Sequence, residues 1–182
     1  QAFARVEASV PGVRYVIMGG ATVLDHGAYR ARFEAEKARL PESVRNAVVE
    51  TGMVSETDAV TFFRMAAVLA LPSLHEGFGL AALEGLACGV PVVASRIAPF
   101  TEYLDDDCAE LVDPHSVASI HDGLEQALHA TAARIANGRR RALGYSWTAS
   151  AREHVRLYER RLPERPSARS NITTTPMVDS RI

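Results

Sequence analysis

Short apolar runs alternate with longer amphipathic stretches along most of the chain, and this alternation predicts a parallel sheet wrapped by helices. A helix over residues 1–9 leads through Pro11 and Gly12 into a strand over 13–18, whose end Gly19 and Gly20 mark. A charged helix over 29–40 precedes a short strand over 47–50. A helix over 58–65, with Thr57 as its cap, precedes the run AVLAL at 67–71. That run suits a strand buried on both faces, and Pro72 stops it. An apolar helix over 80–87 ends at Cys88 and Gly89 with Pro91 just beyond, and Val92 and Val93 open the next buried strand, 91–95. A helix over 100–104, a strand over 109–112 and helices over 117–130, 132–143 and 148–161 complete the pattern, which contains no internal repeat.

Chemistry concentrates between Leu71 and Ser95, LPSLHEGFGLAALEGLACGVPVVAS, which reads as strand, glycine loop, helix and strand in succession. Ligands of parallel α/β sheets bind outside the carboxyl ends of the strands, and this loop leaves a carboxyl end. Gly77 and Gly79 let the chain turn sharply and bring backbone close to a ligand. The amides of Phe78, Gly79 and Leu80 open the helix, where free N–H groups attract anions such as phosphates. Glu76 and Glu84 bracket the loop. A carboxylate accepts two hydrogen bonds, which matches the vicinal hydroxyls of a ribose or a hexose. Taken alone, the same pair also reads as a helix cap and a solvated helix residue.

In its context the segment resembles the donor-site motif of retaining glycosyltransferases of the GT-B fold, in particular glycosyltransferase family 4, whose pattern is similar to PSxxEGFGLxxLEAMAxGxPVVAS. The match runs ungapped through Pro72, Ser73, Glu76 to Leu80, Leu83, Glu84, Ala87, Gly89 and Pro91 to Ser95. Glu102, the run Leu111 to Pro114, and Ser146 with Trp147 resemble later family features, so the likeness spans residues 1–161. It implies a Rossmann-like parallel sheet flanked by helices, the C-terminal half of a GT-B fold with the N-terminal domain absent. It also implies a donor-binding role in transferring a hexosyl unit from a UDP- or GDP-sugar to an acceptor hydroxyl. Glu76 would contact the transferred sugar as the catalytic carboxylate, and Glu84 the ribose. The loop Gly77, Phe78, Gly79 and Leu80 would face sugar and diphosphate, and the turn Gly52, Met53, Val54 would lie near the base. His75 is a secondary substrate contact. The resemblance implies no metal and no cofactor beyond the donor itself, same-face attack, and an acceptor held by the missing domain.

The departures are informative. The family's glycine-arginine-leucine segment and following lysine, which neutralise the diphosphate, have no counterpart here. The chain starts without methionine inside what reads as its first helix, so a fragment of a longer protein, inactive alone, is expected. Gly85 stands where the family has alanine, weakening the helix by about 1 kcal/mol.

Composition changes the picture little. With 182 residues, 47% of them hydrophobic and a net charge of −2, the chain suits one globular domain over 1–162 and disfavours general nucleic-acid binding. No apolar run nears membrane-spanning length, and Cys88 and Cys108 form no CxxC pair, so a reducing cytoplasm is expected. From Leu162 onward Pro, Ser, Thr and Arg replace apolar periodicity, which predicts a disordered tail over 163–182 and leaves the Asn171 sequon unused. His121, Glu125 and His129 share a helical face but read better as solvated than as metal ligands. Gly19 and Gly20 lack the further glycines and lysine of a phosphate loop. Arg139, Arg140 and Arg141, with Arg152, Arg156 and Arg160, read as a charged solvent face, the alternative being a partner or anionic lipid surface. Two rivals to transfer are hydrolysis by the paired carboxylates and a noncatalytic nucleotide-sugar binding or partner module. Base, sugar, acceptor and oligomeric state leave no trace in the sequence.

Overall fold

A computed structural model of the chain describes residues 1–19 and 27–161. The expectations for Gly20, the tail over 163–182 and Asn171 lie outside the described residues. The chain divides into two compact units, Gln1–Gly144 and Tyr145–Ile182. In the second, the described structure is dominated by one helix, Trp147–Arg161, none of whose residues is buried.

In the first unit, helix α1 (Ala2–Ser9) leads to strand β1 (Tyr15–Met18), and α2 (Gly27–Ala38) and α3 (Glu42–Ala47) lead to β2 (Val48–Gly52). Then come α4 (Glu56–Met65), β3 (Leu69–Leu71), α5 (Leu80–Ala87), β4 (Val92–Ser95), α6 (Phe100–Tyr103), β5 (Glu110–Val112), α7 (Val117–Leu128) and α8 (Ala132–Leu143). Every strand pair is parallel, as the alternation predicts. The single sheet expected from sequence is instead two: β1 pairs with β2, and β3-β4-β5 form a separate sheet. β3 is three residues long and only half-buried, not buried on both faces as its apolar run suggests. Its second edge meets no strand among the described residues.

The three-stranded sheet carries the core. All four residues of β4 are buried, and its alternation sends Val92 and Ala94 to one face and Val93 to the other. On the first face pack Ala82, Leu83 and Leu86 of α5, Phe100 and Tyr103 of α6, and Ala142 of α8. On the second, Val93 and Val112 meet Ala127 of α7. Burying a side chain such as Leu86 contributes about 2 kcal/mol. Gly85 belongs to this packing. A Cβ there would stand 2.5 Å from Leu69 Cδ2, so a larger residue would require the Leu69 side chain to shift.

Two local expectations are corrected. Helix α4 is capped by Ser55, whose hydroxyl accepts from the Asp58 N–H at 3.1 Å, and not by Thr57, which lies within the first turn. Helix α3 is additional, a six-residue element behind Pro41 too short to show a helical period.

Candidate functional site

The loop between β3 and α5 is held from three sides. At its start the buried Ser95 hydroxyl, at the end of β4, donates to the Ser73 carbonyl at 2.7 Å. Next, the half-buried Glu76 carboxylate folds back to accept from the Gly77 N–H at 2.9 Å and the Ser73 hydroxyl at 3.3 Å. This supports the loop and is not the helix cap that the sequence allows. At the end, Gly79 is the N-cap of α5 with φ of +82°, a left-handed conformation that side chains resist. A Cβ there would also lie 2.3 Å from Phe100 Cε1 and 2.8 Å from the Tyr103 hydroxyl. Only glycine satisfies both the backbone and the space.

Tyr103 is the centrepiece that sequence reasoning missed. Its hydroxyl reaches the Phe78 carbonyl at 2.8 Å and the Gly79 carbonyl at 3.1 Å, and its ring stacks on Phe78 with centroids 5.3 Å apart. Tyr103 is itself clamped from α8. The Arg141 guanidinium donates to the Tyr103 carbonyl at 2.6 Å and to Asp105 Oδ2 at 2.5 Å. That guanidinium holds the Asp105 carboxyl below its usual range, while burial pushes the Cys108 thiol up. Arg141 therefore departs from the solvated arginine face read from sequence, whereas Arg139 and Arg140 are exposed. One faint signal was available, since Tyr103 directly follows the family glutamate Glu102, which is exposed.

The structure joins Glu76, Gly77, Phe78 and Gly79 into one bonded loop with Leu80 opening the helix at 46% exposure. The amides of that first turn have no acceptor earlier in the helix. Glu84 stands one turn into α5 with its side chain exposed, and His75 is exposed at the loop's outer edge. Met53, 82% exposed, and half-buried Val54 follow β2 and so stand on the other sheet. Among the described residues no group of three or more His, Cys, Asp or Glu is placed to hold a metal ion. His121 instead faces Asp122 at 3.1 Å and Glu125 at 3.6 Å. No helix among the described residues is long and apolar enough to cross a membrane.

An all-parallel α/β unit whose glycine loop leaves a strand's carboxyl end is a Rossmann-like domain, here corresponding to the C-terminal half of a GT-B glycosyltransferase. Sucrose-phosphate synthase from Thermosynechococcus elongatus superposes with a TM-score of 0.72 at 27% identity, over 87% of this chain and 41% of that one. HepE of Anabaena, solved with UDP-glucose, gives 0.74 at 19% identity over 88% of this chain and 44% of that one, a likeness of fold. The chain belongs to the family Glycosyl transferases group 1, which it matches over residues 1–142. Among curated relatives, the MMP alpha-(1->4)-mannosyltransferase of Mycolicibacterium hassiacum is 37% identical over 59% of this chain and 28% of its own length. A D-inositol 3-phosphate glycosyltransferase of Xylanimonas cellulosilytica is 35% identical over 85% of this chain and 37% of its own. The chain thus spans about a third of the length of such relatives.

Proposed function

We propose that the chain is the donor-binding half of a retaining, metal-independent glycosyltransferase that moves a hexosyl unit from a UDP- or GDP-sugar to an acceptor hydroxyl in the cytoplasm. The observation that supports it most is the loop held by Tyr103, in which a left-handed Gly79 and the turn behind it fix the start of α5 beside the half-buried Glu76. Membership of a glycosyltransferase family supplies the reaction class.

In this reading the α5 amides at Phe78, Gly79 and Leu80 face the sugar and diphosphate and stabilise the negative charge that grows on the phosphates as the bond to the sugar breaks. Glu76 receives hydroxyls of the transferred sugar, and its present bonds to Gly77 and Ser73 hold the carboxylate in place for them. Glu84 takes the ribose hydroxyls, His75 is a secondary sugar contact, and Met53 with Val54 borders the base. The departing phosphate accepts the proton of the attacking hydroxyl, so the protein's part is positioning and electrostatics. The acceptor is held by polypeptide beyond these residues.

Calorimetry with UDP- and GDP-sugars on the isolated chain, followed by turnover assays on the full-length protein, tests the reading. Glu84→Ala is expected to weaken donor binding by roughly tenfold or more, the loss of hydrogen bonds to a charged acceptor. Unchanged affinity would sink the ribose assignment. Binding without turnover in the full-length protein would favour a noncatalytic module.

A further inference from the structure

A single hydroxyl orients the start of α5. Tyr103 Oη is shared between the Phe78 carbonyl at 2.8 Å and the Gly79 carbonyl at 3.1 Å. In a trans peptide the carbonyl and the N–H of the following residue point in opposite directions. Holding those two oxygens toward Tyr103 therefore turns the N–H groups of Gly79 and Leu80 away from it. Tyr103 belongs to the core, so the direction imposed on them is away from the core. Neither N–H donates a hydrogen bond among the described residues, and no side chain caps the helix there. Gly79 is buried, and a buried N–H without an acceptor in the chain gains most from one that a ligand supplies.

What fixes Tyr103 in turn lies on α8. Helix α6 is one turn long, and the chain leaves it in an extended conformation at Leu104. The Arg141 guanidinium takes hold on either side of Leu104, donating to the Tyr103 carbonyl at 2.6 Å and to Asp105 Oδ2 at 2.5 Å. The planar fork of a guanidinium suits two such acceptors at once. The Cys108 thiol closes the turn behind it, donating to the Asp105 carbonyl at 3.4 Å. α8 is itself seated on α5, since a Cβ at Gly138 would lie 2.6 Å from Leu86 Cδ2 and Ala142 is buried in the same core. The path from α5 through α8, Arg141 and Tyr103 thus returns to the first turn of α5. Such a closed circuit fixes both peptide planes relative to the helix that carries Glu84. Resting on the donor-binding reading, we propose that Arg141 and Tyr103 are positioning residues for the donor's diphosphate. Arg141 acts through Tyr103, and Tyr103 through the two peptide planes that aim the Gly79 and Leu80 N–H groups. The ribose and base contacts assigned to Glu84 and Val54 lie outside this circuit.

Titrations of the full-length protein with UDP and GDP, each beside its nucleoside, uridine or guanosine, decide the matter. The nucleoside keeps ribose and base but lacks the phosphates. Arg141→Met removes the guanidinium and keeps the aliphatic stem. It should weaken the nucleoside diphosphate about fivefold while the nucleoside shifts by less than about twofold. Tyr103→Phe should show the same selectivity with a loss at least as large, and it carries the test if Arg141→Met does not fold. Because Arg141 acts through Tyr103, the double variant should lose clearly less than the product of the two single losses. Equal losses for nucleoside and diphosphate would mean that the substitutions loosen the whole unit, and unchanged affinities would mean that the circuit does not reach the donor. Independent losses would give Arg141 a route of its own. Each of these results overturns the assignment. Absence of UDP and GDP binding in the unsubstituted protein would instead overturn the donor-binding reading beneath it, and would be seen before any substitution is made.

Discussion

The three-stranded and two-stranded halves of the compact unit differ in what holds them. β4 is buried along its whole length, and α5, α7 and α8 each contribute buried residues to the sheet it centres. β1 by contrast has Tyr15 and Val16 exposed, and α2 buries nothing. On that side α1 and α3 bury only Ala2, Val6, Val44 and Ala47, and α2 is tied by charge. Lys37 and Arg30 of α2 reach Glu50 of β2 at 2.7 and 2.6 Å and hold its carboxyl below the usual range. Solvent-screened ion pairs of this kind contribute little, and buried apolar contacts dominate by comparison. Most of the buried apolar packing therefore lies where the Glu76 loop is mounted, and less of it in the half that carries Met53 and Val54.

Four substitutions test this contrast. Leu86→Ala, in the packed half, should cost about 3 kcal/mol in denaturant unfolding, whereas Val49→Ala in the other half should stay within about 0.5 kcal/mol. Similar costs at both positions would erase the distinction. Gly79→Ala should cost about 2 to 3 kcal/mol, from the left-handed backbone and the collision with Phe100 together, and should abolish donor binding by calorimetry. Tyr103→Phe keeps the stacked ring but removes the hydroxyl, and should cost about 1 kcal/mol while weakening donor affinity several-fold. An affinity equal to that of the unsubstituted chain would separate Tyr103 from the site.

The smallest effect concerns acid. The Asp105 carboxyl is held low by Arg141 in the folded chain, so its contribution is fully present above the unfolded value of about 4 and is lost as pH falls through the lower native value. Since the Asp105 side chain is 47% exposed, the pair should contribute only about 0.5 kcal/mol. Asp105→Asn should therefore lower the melting temperature slightly at pH 6 and not at all at the acid end. A gap that persists or widens in acid would contradict the ion-pair account.

The strand, loop and helix at the site were legible because glycine and proline punctuate them sharply. The helix read at 80–87 is α5 to the residue, with Gly79 at its start and Gly89, φ of +80°, just past its end. The division of the sheet was not legible, since which strands become neighbours depends on contacts across the whole fold and not on local pattern. Tyr103 was hidden for a related reason. Its hydroxyl serves backbone carbonyls 24 and 25 residues away, and a bond to peptide oxygen imposes no side-chain type on the partner. Arg141 likewise sits in a run of three arginines whose exposed members set the impression of a plain solvent face.

Arg141 makes the loop answerable to a helix almost forty residues further along the chain than the tyrosine it grips. A product truncated just before residue 141 would retain both glutamates, every glycine of the turn and the whole apolar helix behind them. It would nevertheless lack the cation that steadies Tyr103, and with it the brace under Phe78. Such a shortened chain would carry an intact motif on a slackened mount, so shared motif residues alone are an incomplete guide to which fragments of this family keep a rigid site.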